Sequence, residues 1–61
     1  FLMVCLTDLV NGVMIILPSG GIKSISPIAG VTGSMVSTDN GRNFYVKESI
    51  EIILKKIEKL T

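Results

Sequence analysis

The charges of this chain are crowded into its second half, and this asymmetry limits what the first half can become. Of the eleven charged residues (six Lys or Arg and five Asp or Glu), nine lie between Asp39 and Lys59. Only Asp8 and Lys23 come earlier. The 61 residues suffice for one small domain, near the lower size limit for independent folding. The apolar first half therefore needs cover, which its own helix, a lipid bilayer or other copies of the chain can supply.

The composition excludes several classes of protein. Apolar residues make up 48% of the chain and the net charge is +1, which is incompatible with intrinsic disorder. The charged fraction of 18% is low for the surface of a small monomer. The single cysteine, Cys5, excludes a disulfide scaffold. We expect its side chain to be buried in the protein, and an unpaired thiol is typical of a protein in the reducing cytoplasm. Because the chain also has no histidine, we predict no metal, no cofactor and no enzymatic activity.

The first 17 residues, FLMVCLTDLVNGVMIIL, are apolar enough to suggest a membrane segment. However, Asp8, Asn11 and Gly12 interrupt them near the middle, where a charge costs roughly 2.5 kcal/mol or more. A secretory signal peptide begins with basic residues, but no Lys or Arg precedes Lys23 in this chain. Two apolar runs on either side of an Asn-Gly turn favour a β-hairpin, and we predict no membrane insertion.

Turn-forming residues divide the first 46 residues into short apolar runs. The pattern predicts strands at residues 1–7, 13–17, 22–26, 35–38 and 43–46. In the first turn, residues 8–12, we expect a positive φ at Asn11 or Gly12. Asn40-Gly41 predicts a type I′ hairpin between the last two strands. Neither of the first two strands alternates between apolar and polar residues, which indicates burial on both faces.

The last segment predicts an amphipathic helix at residues 49–60, with Ser49 as its N-cap. At 100° per residue, five residues form one apolar stripe that we expect to face the core: Ile50, Ile53, Leu54, Ile57 and Leu60. Ile52 lies outside this stripe. It is either a solitary exposed apolar residue or part of a second contact surface.

Together these patterns predict a single α+β domain over residues 1–61. A four- or five-stranded antiparallel meander (residues 1–46) carries one C-terminal helix, which can cover only one face of the sheet. We therefore predict a homo-oligomer. The candidate interface residues are Leu2, Val4, Leu6, Met14, Ile16, Ile52 and Tyr45. If the strands face the other way, the exposed residues are the neighbours Met3, Cys5 and Ile15.

Nucleic-acid binding is the main alternative function. The six cations and an outward-facing Tyr45 are features of a nucleic-acid-binding surface, although five acids nearly cancel the charge. Asp8 and Asp39 lie in predicted turns, where they favour backbone hydrogen bonds over acid–base chemistry. The segment Pro18-Ser19-Gly20-Gly21 lacks the spacing of phosphate-binding loops and reads as a turn.

Three stretches carry a family resemblance: LTDLVNG at residues 6–12, IKSI at residues 22–25, and NG followed by FYVKESIEIILKKI, ending at residue 57. In these the chain resembles the small FlbD-like family of bacterial cytoplasmic proteins linked to flagella and swarming motility. The resemblance implies a β-rich fold with a C-terminal helix and an interaction role without catalysis. The order of strand, NG hairpin and helix is also similar to a shortened LytTR-type DNA-binding domain, which implies the nucleic-acid alternative.

Overall fold

The chain folds into two antiparallel sheets and one C-terminal helix, as shown by a computed structural model that describes residues 2–60. The first sheet is a hairpin of β1 (Met3–Thr7) and β2 (Met14–Pro18). After a short 3-10 turn, Ser19–Gly21, the second sheet contains β3 (Ile22–Pro27), β4 (Ser34–Thr38) and β5 (Asn43–Val46). The helix α1 spans Ile50–Leu60. The predicted α+β class with an antiparallel meander is confirmed, but the strands are divided between two sheets.

The bounds of β5 match the predicted ones, and those of the other strands differ from the prediction by one or two residues. The predicted first strand began at Phe1, which lies outside the described residues, and β1 begins at Met3. In the second sheet, β3 continues to Pro27; the proline predicts that the strand either ends there or lies at a sheet edge, and the structure shows the edge position. Because β3 lies at the edge of its sheet, the missing N–H of Pro27 costs no ladder hydrogen bond.

The turn of the first hairpin is held by the side chain of Asp8. Its Oδ1 accepts hydrogen bonds from the N–H groups of Val10 (2.8 Å) and Asn11 (3.1 Å). The predicted positive φ falls at Gly12, at 72°. Since an L-residue adopts this conformation only with strain, glycine closes the turn at the lowest cost.

The turn between β4 and β5 is not the predicted type I′ turn. That turn needs a positive φ at two consecutive residues, yet within residues 2–60 no residue other than glycine has one. Gly41 alone, at 86°, takes this conformation in a three-residue loop, Asp39-Asn40-Gly41. The loop is closed by hydrogen bonds from the Gly41 N–H to the Thr38 carbonyl (3.0 Å) and from the Thr38 N–H to the Arg42 carbonyl (2.9 Å).

The two sheets are joined where the end of β1 runs beside the end of β5. Asp8 and Val46 form an isolated antiparallel bridge. On either side of it, the Leu9 N–H donates to the Tyr45 carbonyl and the Lys47 N–H donates to the Thr7 carbonyl, both at 2.8 Å. The hairpin is therefore anchored to the second sheet along one short segment.

Residues from both sheets and the helix share one hydrophobic core. Its buried members are Val4, Leu6, Leu17, Val36, Val46 and Ile53. Two of the predicted interface residues, Val4 and Leu6, are thus misplaced, since each is only 1% exposed. Within one chain only one face of β1 is buried, because its side chains alternate between the core and the outside, and the predicted cover of the second face by another copy stays a prediction.

The helix contacts the core through a face that is rotated from the predicted stripe. Ile53 is fully buried, and Ile57 and Leu60 are partly buried against the core. Leu54, predicted to face the core, is 52% exposed, whereas Lys56 is half-buried. At about 100° per residue, this corresponds to a rotation of the buried arc by roughly 40°. Ile50, at the start of the helix, is half-buried.

Ser49 caps α1 as predicted. Its Oγ accepts a hydrogen bond from the Ile52 N–H at 3.4 Å, and its carbonyl accepts the Ile53 N–H at 3.0 Å. An N-cap oxygen satisfies one of the N–H groups that have no partner within the first turn of a helix. The helix therefore begins at a defined position relative to β5, and this position directs Ile53 into the core.

Candidate interaction surface

The outward side of the first hairpin is apolar on both strands except at Thr7, at the end of β1. Side chains on this side belong to the cross-strand pairs Met3 with Pro18 and Cys5 with Ile16, together with Met14 opposite Thr7. We call Met3, Cys5, Met14, Ile16 and Pro18 the outer hairpin face. All five residues are exposed, and none is charged. Cys5, which we had expected to be buried, is a free thiol on this face.

The helix leaves the outer hairpin face uncovered because it packs on the opposite side of the hairpin. Val4 and Leu6 point to that inner side and meet Ile53 of α1 in the core. On the outer face, Met14 is 65% exposed and Ile16 is 52% exposed. Three large side chains exposed to this degree, including Met3, make an apolar patch on the order of a few hundred Å², the size at which patches on monomers commonly serve as contact sites.

The structure separates the remaining sequence candidates from this face. Leu2 is exposed directly before β1. Tyr45 is 50% exposed on the outside of the second sheet, opposite Met35. Ile52 is 47% exposed on α1. The structure thus brings Met14 and Ile16 together on the outer hairpin face, and Leu2, Tyr45 and Ile52 are not part of it.

The sequence named Met3 and Cys5 only for the alternative orientation of the strands, together with Ile15, which packs against the core. It did not reveal that Pro18 belongs to this face. Consecutive apolar residues in β1 leave the choice of inner and outer positions open, and the side chains of either parity fit a core. The signal that settles the choice is distant in sequence. The N–H of Thr7 donates to Glu48 Oε1 and its hydroxyl donates to Glu48 Oε2, both at 2.9 Å, which fixes the end of β1 against the entry to α1.

Glu48 is the most strongly organised ionisable side chain near the junction of hairpin and helix. Partial burial raises its pKa, but the two hydrogen bonds from Thr7 and the positive charge of Lys56 outweigh this effect. The pKa of Glu48 therefore lies below its ordinary value of 4.5. The Ser34 hydroxyl, which is fully buried, donates to the Glu48 carbonyl at 2.9 Å. Glu48 thus binds groups from both sheets at the start of the helix, which is a structural role.

The chain also has an open cleft of about 390 Å³ between the 3-10 turn and the loop from β4 to β5. It is lined by Leu17, Pro18, Gly21, Thr38, Asp39, Asn40, Arg42 and Phe44. One acid and one base at the rim of an apolar floor do not make a nucleophile–base pair. Within residues 2–60, no group of three or more His, Cys, Asp or Glu side chains lies close enough to hold a metal ion.

Comparison with protein-family models, with curated proteins and with solved structures found no match for this chain. Within residues 2–60, no helix has the length and apolar character needed to cross a membrane. The outer hairpin face is the candidate functional surface of this chain, because its apolar side chains are all exposed.

Proposed function

We propose that this chain is a non-enzymatic interaction protein that associates with copies of itself through the outer hairpin face. The observation that carries the proposal is the full set of apolar side chains on this face, all exposed and none charged. Removing such surface from water yields about 25 cal/mol per Å². Burying Met14 and Ile16 alone would then contribute a few kcal/mol to association.

The proposed setting is the bacterial cytoplasm. A single exposed thiol, Cys5, is compatible with a reducing compartment, where it would stay unpaired. The motility-related role implied by the FlbD-like resemblance belongs to the same proposal. In that setting the protein would be an accessory or structural component, which acts by binding through its surface and not by catalysing a reaction.

Subunit mass measured by light scattering and sedimentation tests the proposal directly. We expect a mass larger than 6.6 kDa at micromolar concentration, with dissociation on dilution. The variant Ile16→Lys places a charge in the outer hairpin face and should weaken association at least about tenfold. The matched control is Tyr45→Lys, because Tyr45 is about as exposed (50% against 52%) but lies on the other sheet. A monomeric unmodified protein, or equal effects of the two substitutions, would refute the proposal.

A regulatory nucleic-acid binder is the second candidate, and the exposed position of Tyr45 favours it. An aromatic side chain on an open strand can stack on an unpaired base. Fluorescence titration with single-stranded and duplex DNA at low salt separates the two candidates. Binding that falls steeply as salt is added and is lost in Tyr45→Ala would support this second function. The absence of binding at low salt would exclude it and leave self-association.

A further inference from the structure

The second strand, β2, forms a free edge of the first sheet. Among residues 2–60, β1 is the only strand that pairs with it. The Asp8 N–H donates to the Val13 carbonyl and the Ser19 N–H donates to the Leu2 carbonyl, each at 2.9 Å. In an antiparallel pair the direction of the backbone groups alternates along the strand. Residues 13, 15, 17 and 19 therefore turn their backbone groups towards β1, and the N–H groups of Met14 and Ile16 point to the open side.

The other free edge, β3, carries the features that prevent strands from pairing with other chains. It has an exposed Lys23, a bulge between Ile22 and Ser24, and Pro27 at its end. Lysine, bulges and proline are the means by which natural sheets protect their edges. From Met14 to Leu17, β2 has no charge, no proline and no break in register. One edge of this molecule is protected and the other is open.

We infer that β2 pairs antiparallel with β2 of a second copy across a two-fold axis. This inference rests on the proposed self-association and adds a contact along the strand edge, which sets the outer hairpin faces of two copies side by side. When the two strands overlap along their full length, Ile16 lies at the axis. Each Ile16 N–H then donates to the Ile16 carbonyl of the other copy, and each Met14 N–H donates to the Pro18 carbonyl of the other copy. Pro18, which has no N–H, falls at the end of this ladder.

A second copy fits this edge for two reasons. Like charges opposite each other destabilise a strand pair, and β2 has no charge to repel its own copy. The pairing also places Ile16 beside Ile16 and Met14 beside Pro18 on one continuous apolar surface, and such cross-strand apolar pairs are stabilising.

The size of the outer hairpin face also favours edge pairing. Stable specific interfaces bury at least about 1,200 Å² in total. A patch of a few hundred Å² per copy falls short of this when the faces stack alone. Pairing along β2 buries the strand edge and adds directional backbone hydrogen bonds. The edge therefore supplies interface area that the outer hairpin face alone does not provide.

Backbone N-methylation tests the inference without altering any side chain. A chain of this length can be made by chemical ligation with N-methyl-Ile16, which removes the N–H donor at the predicted axis. The matched control is N-methyl-Ile25 on the protected edge. Because the Thr38 N–H bonds to Arg42, alternation across β4 directs Ser24 and Ser26 towards β4 and leaves the Ile25 N–H pointing outwards.

We expect N-methyl-Ile16 to weaken association by about tenfold or more and N-methyl-Ile25 to leave the subunit mass unchanged. If N-methyl-Ile16 still associates normally while Ile16→Lys does not, the edge inference fails and the outer-face proposal stands. If the unmodified protein is monomeric, both fail.

Amide hydrogen exchange in the unmodified protein provides a second test that does not depend on how well a variant folds. In the associated state, the Ile16 amide should exchange at least about tenfold more slowly than the Ile25 amide, since only the former would be hydrogen-bonded. Diluting the protein to the monomer should remove the difference. Equal exchange rates in the associated state would overturn the inference.

Discussion

The two sheets of this molecule have similar inner faces and very different outer faces. Inside, the second sheet presents a row of Ile25, Val36 and Phe44, which corresponds in character to Val4 and Leu6 of the hairpin. Outside, the second sheet has a polar row of Ser24, Ser37 and Asn43, in which the Ser37 hydroxyl donates to Asn43 Oδ1 at 2.8 Å. The outer hairpin face has no such row.

This difference distinguishes apolar residues that the core of the chain needs from apolar residues that are available for the proposed association. One core needs only one apolar face from each sheet, and the outer face of the second sheet is mixed, with a polar row beside Met35 and Tyr45. The hairpin exceeds this need, since its outer residues contribute nothing to the core of their own chain. Apolar residues that the fold does not require support the proposed self-association.

The largest expected effect on the free energy of unfolding comes from a substitution on the inner face of the hairpin. Leu6→Ala removes a side chain that is 1% exposed, and we expect a loss of about 2–5 kcal/mol in the free energy of unfolding. The control Leu54→Ala removes the same groups from an exposed position on α1 and should change it by less than about 0.5 kcal/mol. Urea unfolding measures both. Equal losses would mean that α1 contacts the core through the stripe predicted from sequence.

An intermediate effect compares the turns of the two sheets. Gly12→Ala in the hairpin and Gly41→Ala in the second sheet each place a side chain at positive φ, so each should cost about 1–2 kcal/mol of unfolding free energy. Gly20→Ala is the control, because its φ is not positive and no atom lies within 4 Å of the added carbon. Thermal denaturation compares the three variants. A cost for Gly20→Ala as large as for the other two would contradict the turn assignments.

A smaller effect concerns the link between hairpin and helix. Because the folded pKa of Glu48 is lowered, its carboxylate stabilises the fold above its unfolded pKa, and this contribution is lost as pH falls through the folded pKa. Glu48→Gln should cost about 1 kcal/mol at neutral pH, an amount reduced by contact with solvent, and little at acidic pH.

Unfolding free energies measured between pH 7 and pH 3 show whether the Glu48 variant converges with the unmodified protein. Asp39→Asn is the control, since Asp39 is an exposed carboxylate in the turn between β4 and β5. A Glu48→Gln cost that is the same at both ends of the pH range would show that Thr7 does not depend on the ionised carboxylate.

The smallest expected effect concerns the helix surface. Ile52→Lys should leave the subunit mass unchanged and shift the unfolding free energy by less than about 0.5 kcal/mol, because Ile52 lies away from both the core and the outer hairpin face. Sedimentation of this variant beside Ile16→Lys gives the comparison. A drop in mass for Ile52→Lys would extend the proposed interface to α1.

Features with a local cause were predictable from sequence. The turn at Asp8 and Gly12 and the cap at Ser49 follow from side-chain hydrogen bonds or backbone freedom within a few residues. The alternation of Phe44 and Tyr45 follows from the pleat of a strand.

Features with a distant cause were not predictable. The inner and outer positions of β1 depend on Thr7 meeting Glu48, and the rotation of α1 depends on which groove of the sheets receives Ile53. The candidate site shared this limit. Met14 and Ile16 were identified, but Val4 and Leu6 were grouped with them because nothing near β1 distinguishes its two faces.

The bridge between Asp8 and Val46 joins an early segment of the chain to a later one, and this has a consequence for the order of events during synthesis. The hairpin is made before the helix that covers its inner side, with Ile53 made 47 positions after Leu6. At about 5–20 residues per second, a ribosome needs roughly 2–10 seconds to cross that interval. During this time the nascent hairpin exposes apolar residues on both sides. We therefore expect the hairpin to need protection during this interval, by a chaperone or by a neighbouring nascent chain.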